Sequence, residues 1–489
     1  MSLFEDLKKL TKHSSIYGLG HILSRGIGFF LLPLYTNYLT TADYGVVALL
    51  YTFIAFVNIL FLYGLDSAFL RFYALEEGNE GRKRILSTTL LMTVCTSVVF
   101  VFVIFLFASP LSNLILGRPQ MAGVFKMATG ILFFDTLATT PYLLLRLEER
   151  SKRFVAYRFV NILLNLGLNI YLVAYLRMGV SGVFLSNLIA SGFSWLILLP
   201  VLWRRMTLRF FPGMAGELLK FGLPFIPSGL ASMTMELIDR YMLRGMKGLE
   251  VVGVYNAGYK LGLFMLLVVM AFKFAWQPFF LKLGRDEERA RRSFAAVLTY
   301  FVLSGGFLLL AVSFFVDDLV RLQLGGLTVF GPEFWSGTRI VPIILLAYVM
   351  MGVYLIFLPG IYLKKKTRYI PLFTGLGAAV NVLGNLILIP RWGIMGAAWA
   401  TLAGYLVMAL SLFTIVQRIY PVHYQYSRLA KLVFVSILIF LLRQWFGEPF
   451  SLRLLLLLVC YPLGLLATNF FTAGEKSRLL HFLHLQSRP

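Results

Sequence analysis

The sequence predicts an all-α integral membrane protein that crosses a bilayer about fourteen times. Three observations carry this. Hydrophobic residues make up 59% of the 489-residue chain, charged residues only 14%, and the mean hydropathy is +0.81. A soluble domain is about half apolar and about a quarter charged, and burial grows too slowly with size for a core to hide the excess. The apolar residues gather into runs of bilayer length separated by short loops. The basic residues alternate between successive loops.

The runs fall at 14–38, 45–65, 86–108, 121–144, 155–176, 180–203, 218–243, 252–276, 293–316, 339–362, 369–390, 394–417, 429–446 and 452–471. Lys8, Lys9, Lys12 and His13 precede the first run and imitate a signal peptide. That run is too long, contains Arg25 and has no small-residue cleavage site, so it reads as a retained span.

Net charge is +23, a value that in a soluble chain suggests nucleic acid. Here the cations sit in clusters between apolar runs, the pattern of the positive-inside rule. With the N-terminus inside, Arg82-Lys83-Arg84, Arg150 with Lys152 and Arg153, Arg204 with Arg205 and Arg209, Arg285 through Arg292, and Lys364-Lys365-Lys366 with Arg368 all lie inside. Roughly 30 basic residues fall on that side against about 8 on the other. Both termini are therefore expected in the cytoplasm, in the inner (cytoplasmic) membrane, with no nucleic-acid partner.

An internal repeat is visible. Asn165, Asn169, Gly179 and Gly182 in NLGLNIYLVAYLRMGVSG correspond to Asn381, Asn385, Gly393 and Gly396 in NVLGNLILIPRWGIMG, and Pro141 corresponds to Pro359. The offset is roughly 210–220 residues. Six spans per copy is an even number, so the copies enter the membrane in the same sense, as parallel repeats with a site between them. The expected organisation is an N-lobe over 1–210, a C-lobe over 211–420, and an appended pair of spans with a cytoplasmic tail over 421–489.

Cys95 and Cys460 lie in apolar runs and read as packing residues. No P-loop, HExxH, GxSxG or CxxC pair occurs. His481 and His484 sit on a basic tail and read as solvated. The loops near 204–218, 277–292 and 317–338 are too short for a catalytic domain, and Asp317-Asp318 reads as a solvated loop edge. No enzyme activity, cofactor or metal is expected.

The segments SRGIGFFLLPLYTNYLTTADYGVVAL (24–49), YGLDSAFLRFYA (63–74), IDRYMLRGMKGLEVVGVYNAGYKLG (238–262) and FKFAWQPFF (272–280) together resemble the polysaccharide flippases of the multidrug/oligosaccharidyl-lipid/polysaccharide (MOP) exporter superfamily. The resemblance implies two helical lobes around a cavity open alternately to each side. It also implies movement of a polyprenyl-pyrophosphate-linked oligosaccharide to the outer leaflet for O-antigen, capsule or exopolysaccharide assembly, beside glycosyltransferases and a polymerase. A peptidoglycan-precursor flippase and a cation-coupled multidrug antiporter are the nearest alternatives. A membrane glycosyltransferase or polymerase is the alternative from another class.

An ionisable residue within a span costs at least about 2.5–3.5 kcal/mol on insertion scales, so it faces protein or water. A pyrophosphate needs cationic partners in low dielectric, and Arg25, Lys260 and Lys273 are the candidates to line the cavity. Each also has a bland reading, pairing with a carboxylate or snorkelling to the interface. Glu236, Asp239 and Arg240 share one helical face, where Glu236 and Arg240 are spaced to pair; either carboxylate is alternatively a coupling-cation site. Asp135 is a similar candidate with no evident local partner. Asp66 and Arg71 either gate the inner mouth or cap a helix. Among the aromatics, Tyr63, Tyr259 and Trp276 are candidates to stack on sugar rings.

Overall fold

The computed structural model describes residues 29, 31–203, 205–207, 209–284, 286–324, 326–446 and 449–476. Arg25, His481, His484 and most of the first predicted span lie outside them; of that span, residues 29 and 31–38 are described and are helical. Every other predicted span falls on a helix. Eleven helices are long and apolar enough to cross a bilayer, twelve if one bent pair is a single span, counted among the described residues. Strand is confined there to a hairpin of two residue pairs, Gln323–Leu324 with Leu327–Thr328.

The helices follow in order. They are α1 (Thr41–Leu62), α2 (Leu65–Leu75), α3 (Asn79–Leu106), α4 (Ala108–Leu116), α5 (Ala122–Leu147), α6 (Ser151–Asn169), α7 (Gly179–Trp203), α8 (Pro212–Gly222) and α9 (Phe225–Lys247). Then come α10 (Leu249–Leu283), α11 (Glu287–Arg321), α12 (Val341–Leu363), α13 (Ile370–Trp392), α14 (Ile394–Ile419), α15 (Tyr426–Phe446), α16 (Phe450–Leu455) and α17 (Tyr461–Ala467). Large apolar side chains stay exposed along them, such as Phe102, Leu106, Leu196, Phe434 and Leu458. In water such a surface would drive aggregation; in lipid it is the required face. The chain is a multi-pass membrane protein.

The described residues divide into two compact units. The first comprises the chain up to Leu261 with Val320–Ile340 and Thr374–Gly404; the second comprises Gly262–Leu319, Val341–Phe373 and the chain from Tyr405 onward.

Within the first unit, Thr40 caps α1. Its hydroxyl accepts from the Asp43 N–H (3.1 Å) and donates to the Asp43 carboxylate (2.9 Å), which satisfies an otherwise orphaned donor of the first turn. The helix ends at Tyr63 and Gly64, both left-handed (φ 33° and 76°). Gly64 is required there on two counts, because a Cβ would be strained by φ and would overlap the Gly222 carbonyl. Gly222 is itself the end of α8, which meets α9 at a 41° bend. The breaks in two spans thus touch, and Tyr63, Leu65, Ala68, Met92, Ala215 and Leu218 form the apolar cluster around them.

The repeat is visible in the backbone. Gly179 and Gly393 are both left-handed, at φ 57° and 53°. A Cβ at Gly182 would press on the Leu172 carbonyl and one at Gly396 would overlap that of Leu388. In each copy the second Asn amide donates to the side-chain oxygen of the first, Asn169 to Asn165 at 2.8 Å and Asn385 to Asn381 at 3.1 Å.

In the second unit the appended helices are fastened to α11. Leu310 and Phe314 pack with Leu432, Val435, Ile439, Leu457 and Tyr461. At one end buried Arg453 makes a bidentate bond to Asp318 (2.6 and 3.0 Å) and reaches the Phe314 carbonyl (2.7 Å), while Arg443 lies 3.8 Å from Asp317. At the other, Arg428 pairs with Glu475 at 2.9 Å and Tyr300 donates to the same carboxylate. Asp317-Asp318 is therefore not the solvated loop edge expected from the sequence. The 35-residue α11 is about 52 Å long against about 30 Å of hydrocarbon, so the doublet stays on the helix and meets arginines of the next spans. Cys95 is exposed on α3 instead of packed.

Candidate functional site

The ionisable residues predicted for the site fall in several places. The most fully built is on α9. Arg240 and Asp239 are buried, with Arg240 Nη1 donating to Asp239 Oδ1 at 2.8 Å. The same nitrogen donates to the backbone carbonyl of Glu236 at 2.8 Å, and Nε points at Asn256 Oδ1 at 3.4 Å. Tyr255 donates its hydroxyl to Asp239 Oδ2, and the guanidinium lies 4.4 Å from the Tyr259 ring centroid. A buried ion pair survives only when its remaining donors and acceptors are satisfied, and α10 supplies those partners. The expected Glu236–Arg240 pair is thus corrected: Arg240 takes the neighbouring carboxylate and only the backbone of Glu236. The half-buried Glu236 carboxylate pairs with no described residue.

Lys260, one turn beyond Asn256 on α10, is half-buried. Its ammonium lies 5.8 Å from the Tyr35 ring and 5.5 Å from the Tyr44 ring. Tyr35 donates to Asn169 Oδ1 at 2.8 Å, so the first copy of the repeat holds one wall of the aromatic seat. No carboxylate among the described residues pairs with Lys260. A cation over two tyrosine faces is held by about 0.5–2 kcal/mol, weakly enough to exchange for an anion. Lys273 belongs to the second unit, is exposed, and has no partner among the described residues.

Asp135 on α5 is exposed, yet it has neighbours that its own helix does not reveal. Ser191 of α7 and Arg158 of α6 are the polar groups near enough to favour its charged form. Arg158 stacks 4.0 Å over Tyr142, whose hydroxyl is 2.9 Å from Ser194 Oγ, and Asn187 donates to Tyr51 at 2.9 Å. These polar neighbours come from two other helices, not from α5 itself.

Asp66 lies in the first turn of α2, where a carboxylate favours the helix dipole. Arg71 is exposed, 4.6 Å over the Phe221 ring. Neither forms an ion pair among the described residues. Tyr63, Tyr259 and Trp276 are buried; Tyr259 underlies Arg240 and Trp276 donates to the Leu355 carbonyl at 3.1 Å. Arg158, Tyr35, Tyr255 and Asn256 were missed from the sequence. Tyr255 and Tyr259 share a face of α10 at i and i+4, a signal that was available.

Spanning helices, an internal repeat and charges held inside the spans define a multi-pass membrane protein with polar groups in its interior. The solved structures agree in fold. The lipid II flippase MurJ in an inward closed conformation superimposes with a TM-score of 0.74 at 16% identity, over 91% of this chain and 97% of that one. An inward-facing multidrug resistance MATE family transporter of the MOP superfamily gives 0.67 at 13%, over 81% and 94%. A Vibrio cholerae MATE transporter gives 0.58 at 17%, over 84% and 96%. No curated protein sequence matches the chain. The model of the polysaccharide biosynthesis protein family matches residues 10–283, more than half of the chain. The chain belongs to that family.

Proposed function

We propose that the protein flips a polyprenyl-pyrophosphate-linked oligosaccharide across the cytoplasmic membrane by alternating access, for O-antigen, capsule or exopolysaccharide assembly. Family membership supports a lipid-linked saccharide, as does the fold shared with a lipid II flippase. The observation that carries the reading to this chain is Lys260, a cation within a spanning helix that rests on two tyrosines and has no carboxylate partner among the described residues. An exporter of cationic drugs needs the opposite charge. In this reading the lobes are 1–210 and 211–420 with 421–489 appended, both termini are cytoplasmic, and glycosyltransferases and a polymerase act on either side of the step. Arg25 and Lys273 are further candidates for the pyrophosphate.

The Glu236 carboxylate, which pairs with no other described residue, favours a coupling cation as the energy source. One charge moved through 100 mV is worth about 2.3 kcal/mol, enough to bias transport.

Proteoliposomes loaded with a fluorescent polyprenyl-pyrophosphate oligosaccharide provide the test. The expected result is protein-dependent movement of that lipid and none of a cationic dye. Export of the dye with no movement of the lipid would transfer the assignment to the multidrug antiporter, and selective movement of a peptidoglycan precursor would transfer it to that flippase.

A further inference from the structure

Within the first unit, the short helix α4 ends against the last turn of α9. Gly117, which follows α4, is left-handed (φ 65°), and a Cβ there would overlap Arg244 Nη2. The glycine thus admits the guanidinium to the end of α4, where Nη2 and Nε donate to the Leu116 carbonyl at 3.1 and 3.3 Å. That carbonyl is one of the acceptors a helix end leaves unsatisfied, so the bland reading of Arg244 is a cap. The cap occupies only two of its three nitrogens. Nη1 has no hydrogen-bond partner among the described residues.

The two helices leave a cavity of about 410 Å³ beside this cap, lined by Leu114, Ile115, Tyr241, Arg244 and Gly245. Leu114 is 80% exposed and gives it an apolar edge. Tyr241 packs on Phe56, with ring centroids 6.2 Å apart, and its hydroxyl has no hydrogen-bond partner among the described residues. A Cβ at Gly245 would meet nothing within 4 Å. Apolar walls with a few convergent polar groups are the usual make-up of a ligand site. The seventh predicted span ends at residue 243, on the side that charge alternation predicts to be outer. Arg244 therefore stands where the phosphates of the outer leaflet lie.

We propose that this cavity binds one anionic phospholipid of the outer leaflet, of the phosphatidylglycerol type. Arg244 Nη1 and the Tyr241 hydroxyl donate to the phosphodiester oxygens, while an acyl chain runs over Leu114 and Ile115. A guanidinium fork suits phosphate oxygens in particular. Charge decides between the candidate heads. The lining holds one cation and no carboxylate, which balances a single phosphodiester. An ethanolamine head would bring an ammonium with no carboxylate to receive it. A pyrophosphate would bring more than one negative charge against one guanidinium. Neither neighbouring cation supplies the difference, because Arg118 lies 3.7 Å from Asp43 and Lys247 donates to the Pro390 carbonyl at 2.9 Å. The site is distinct from Lys260 and needs no transport reading.

The test uses the full-length protein, delipidated in detergent, and native mass spectrometry with added phosphatidylglycerol. The dissociation constant of the first bound lipid is measured. The parent is expected to hold phosphatidylglycerol at least about tenfold more tightly than phosphatidylethanolamine. Gly245→Leu fills the cavity and leaves Arg244 on its cap; Arg244→Gln removes the charge. Each is expected to weaken phosphatidylglycerol binding roughly tenfold to a hundredfold, the worth of one charge-assisted contact. Gly216→Leu, in open space on α8, should leave it unchanged. Arg244→Gln also loosens the end of α4, so Gly245→Leu decides alone if that variant does not fold. Equal binding in the parent and Gly245→Leu would overturn the site, as would an equal loss in Gly216→Leu. Equal affinity for the two phospholipids would overturn the choice of an anionic head. Displacement of phosphatidylglycerol from the parent by equimolar farnesyl pyrophosphate would overturn the phospholipid in favour of a pyrophosphate lipid.

Discussion

Arg240 is locked to the residue beside it in the chain, Asp239, at 2.8 Å with both side chains buried. The node is electrically balanced and completed by Tyr255 and Asn256. Arg240→Ala leaves a buried carboxylate unpaired and is expected to cost about 3–5 kcal/mol. The double variant Asp239→Asn/Arg240→Met should recover most of that loss. Thermal unfolding in nanodiscs checks both, and an unaltered melting transition in Arg240→Ala would remove the node from the account.

This node also shows what the sequence could and could not reveal. Hydropathy located the spans because lipid imposes a length and a composition that any window of residues displays. The repeat was legible because its glycines answer to backbone demands, at Gly179 and Gly393 a positive φ. The pairing of Arg240 was not. Residues at i and i+1 do not face each other on a helix, so the partner suggested by spacing was Glu236; the actual choice depends on Tyr255 and Asn256 arriving from α10. Asp135 and Arg158 meet only through the packing of separate helices, which no local pattern records.

Glu236 is expected to separate from Asp239 in function. Glu236→Gln should remove the response of transport to an imposed proton or sodium gradient while the protein stays folded. A coupling of one charge through 100 mV, about 2.3 kcal/mol, corresponds to a rate or accumulation difference of roughly fiftyfold. Transport measured with and without each gradient gives the answer, and a full gradient response in Glu236→Gln assigns coupling elsewhere.

The bidentate Arg453–Asp318 bond fastens the appended helices to α11. Arg453→Met is expected to lower stability by about 2–4 kcal/mol by leaving Asp318 and the Phe314 carbonyl without their donor. Limited proteolysis should then release the segment after α14 before the rest of the chain. Uniform digestion would show that apolar packing alone holds these helices.

Gly64→Ala should be among the most damaging glycine substitutions. It combines a left-handed φ, worth about 1–2 kcal/mol, with overlap against the Gly222 carbonyl. Gly216→Ala is the control; it sits in open space within α8 and should gain up to about 1 kcal/mol. Yield and melting temperature of the two purified variants distinguish them, and equal behaviour would mean that the α1–α8 contact yields easily.

The central claim is that a cation held on tyrosines inside a spanning helix receives an anionic lipid headgroup. It is tested most directly by the flipping rate of a polyprenyl-pyrophosphate oligosaccharide in proteoliposomes carrying the parent protein, Lys260→Gln or Lys260→Arg. Loss of one charge-assisted contact of about 1.5–3 kcal/mol predicts a fall of roughly tenfold to a hundredfold in Lys260→Gln and substantial recovery in Lys260→Arg. Equal rates in the parent and Lys260→Gln would contradict it.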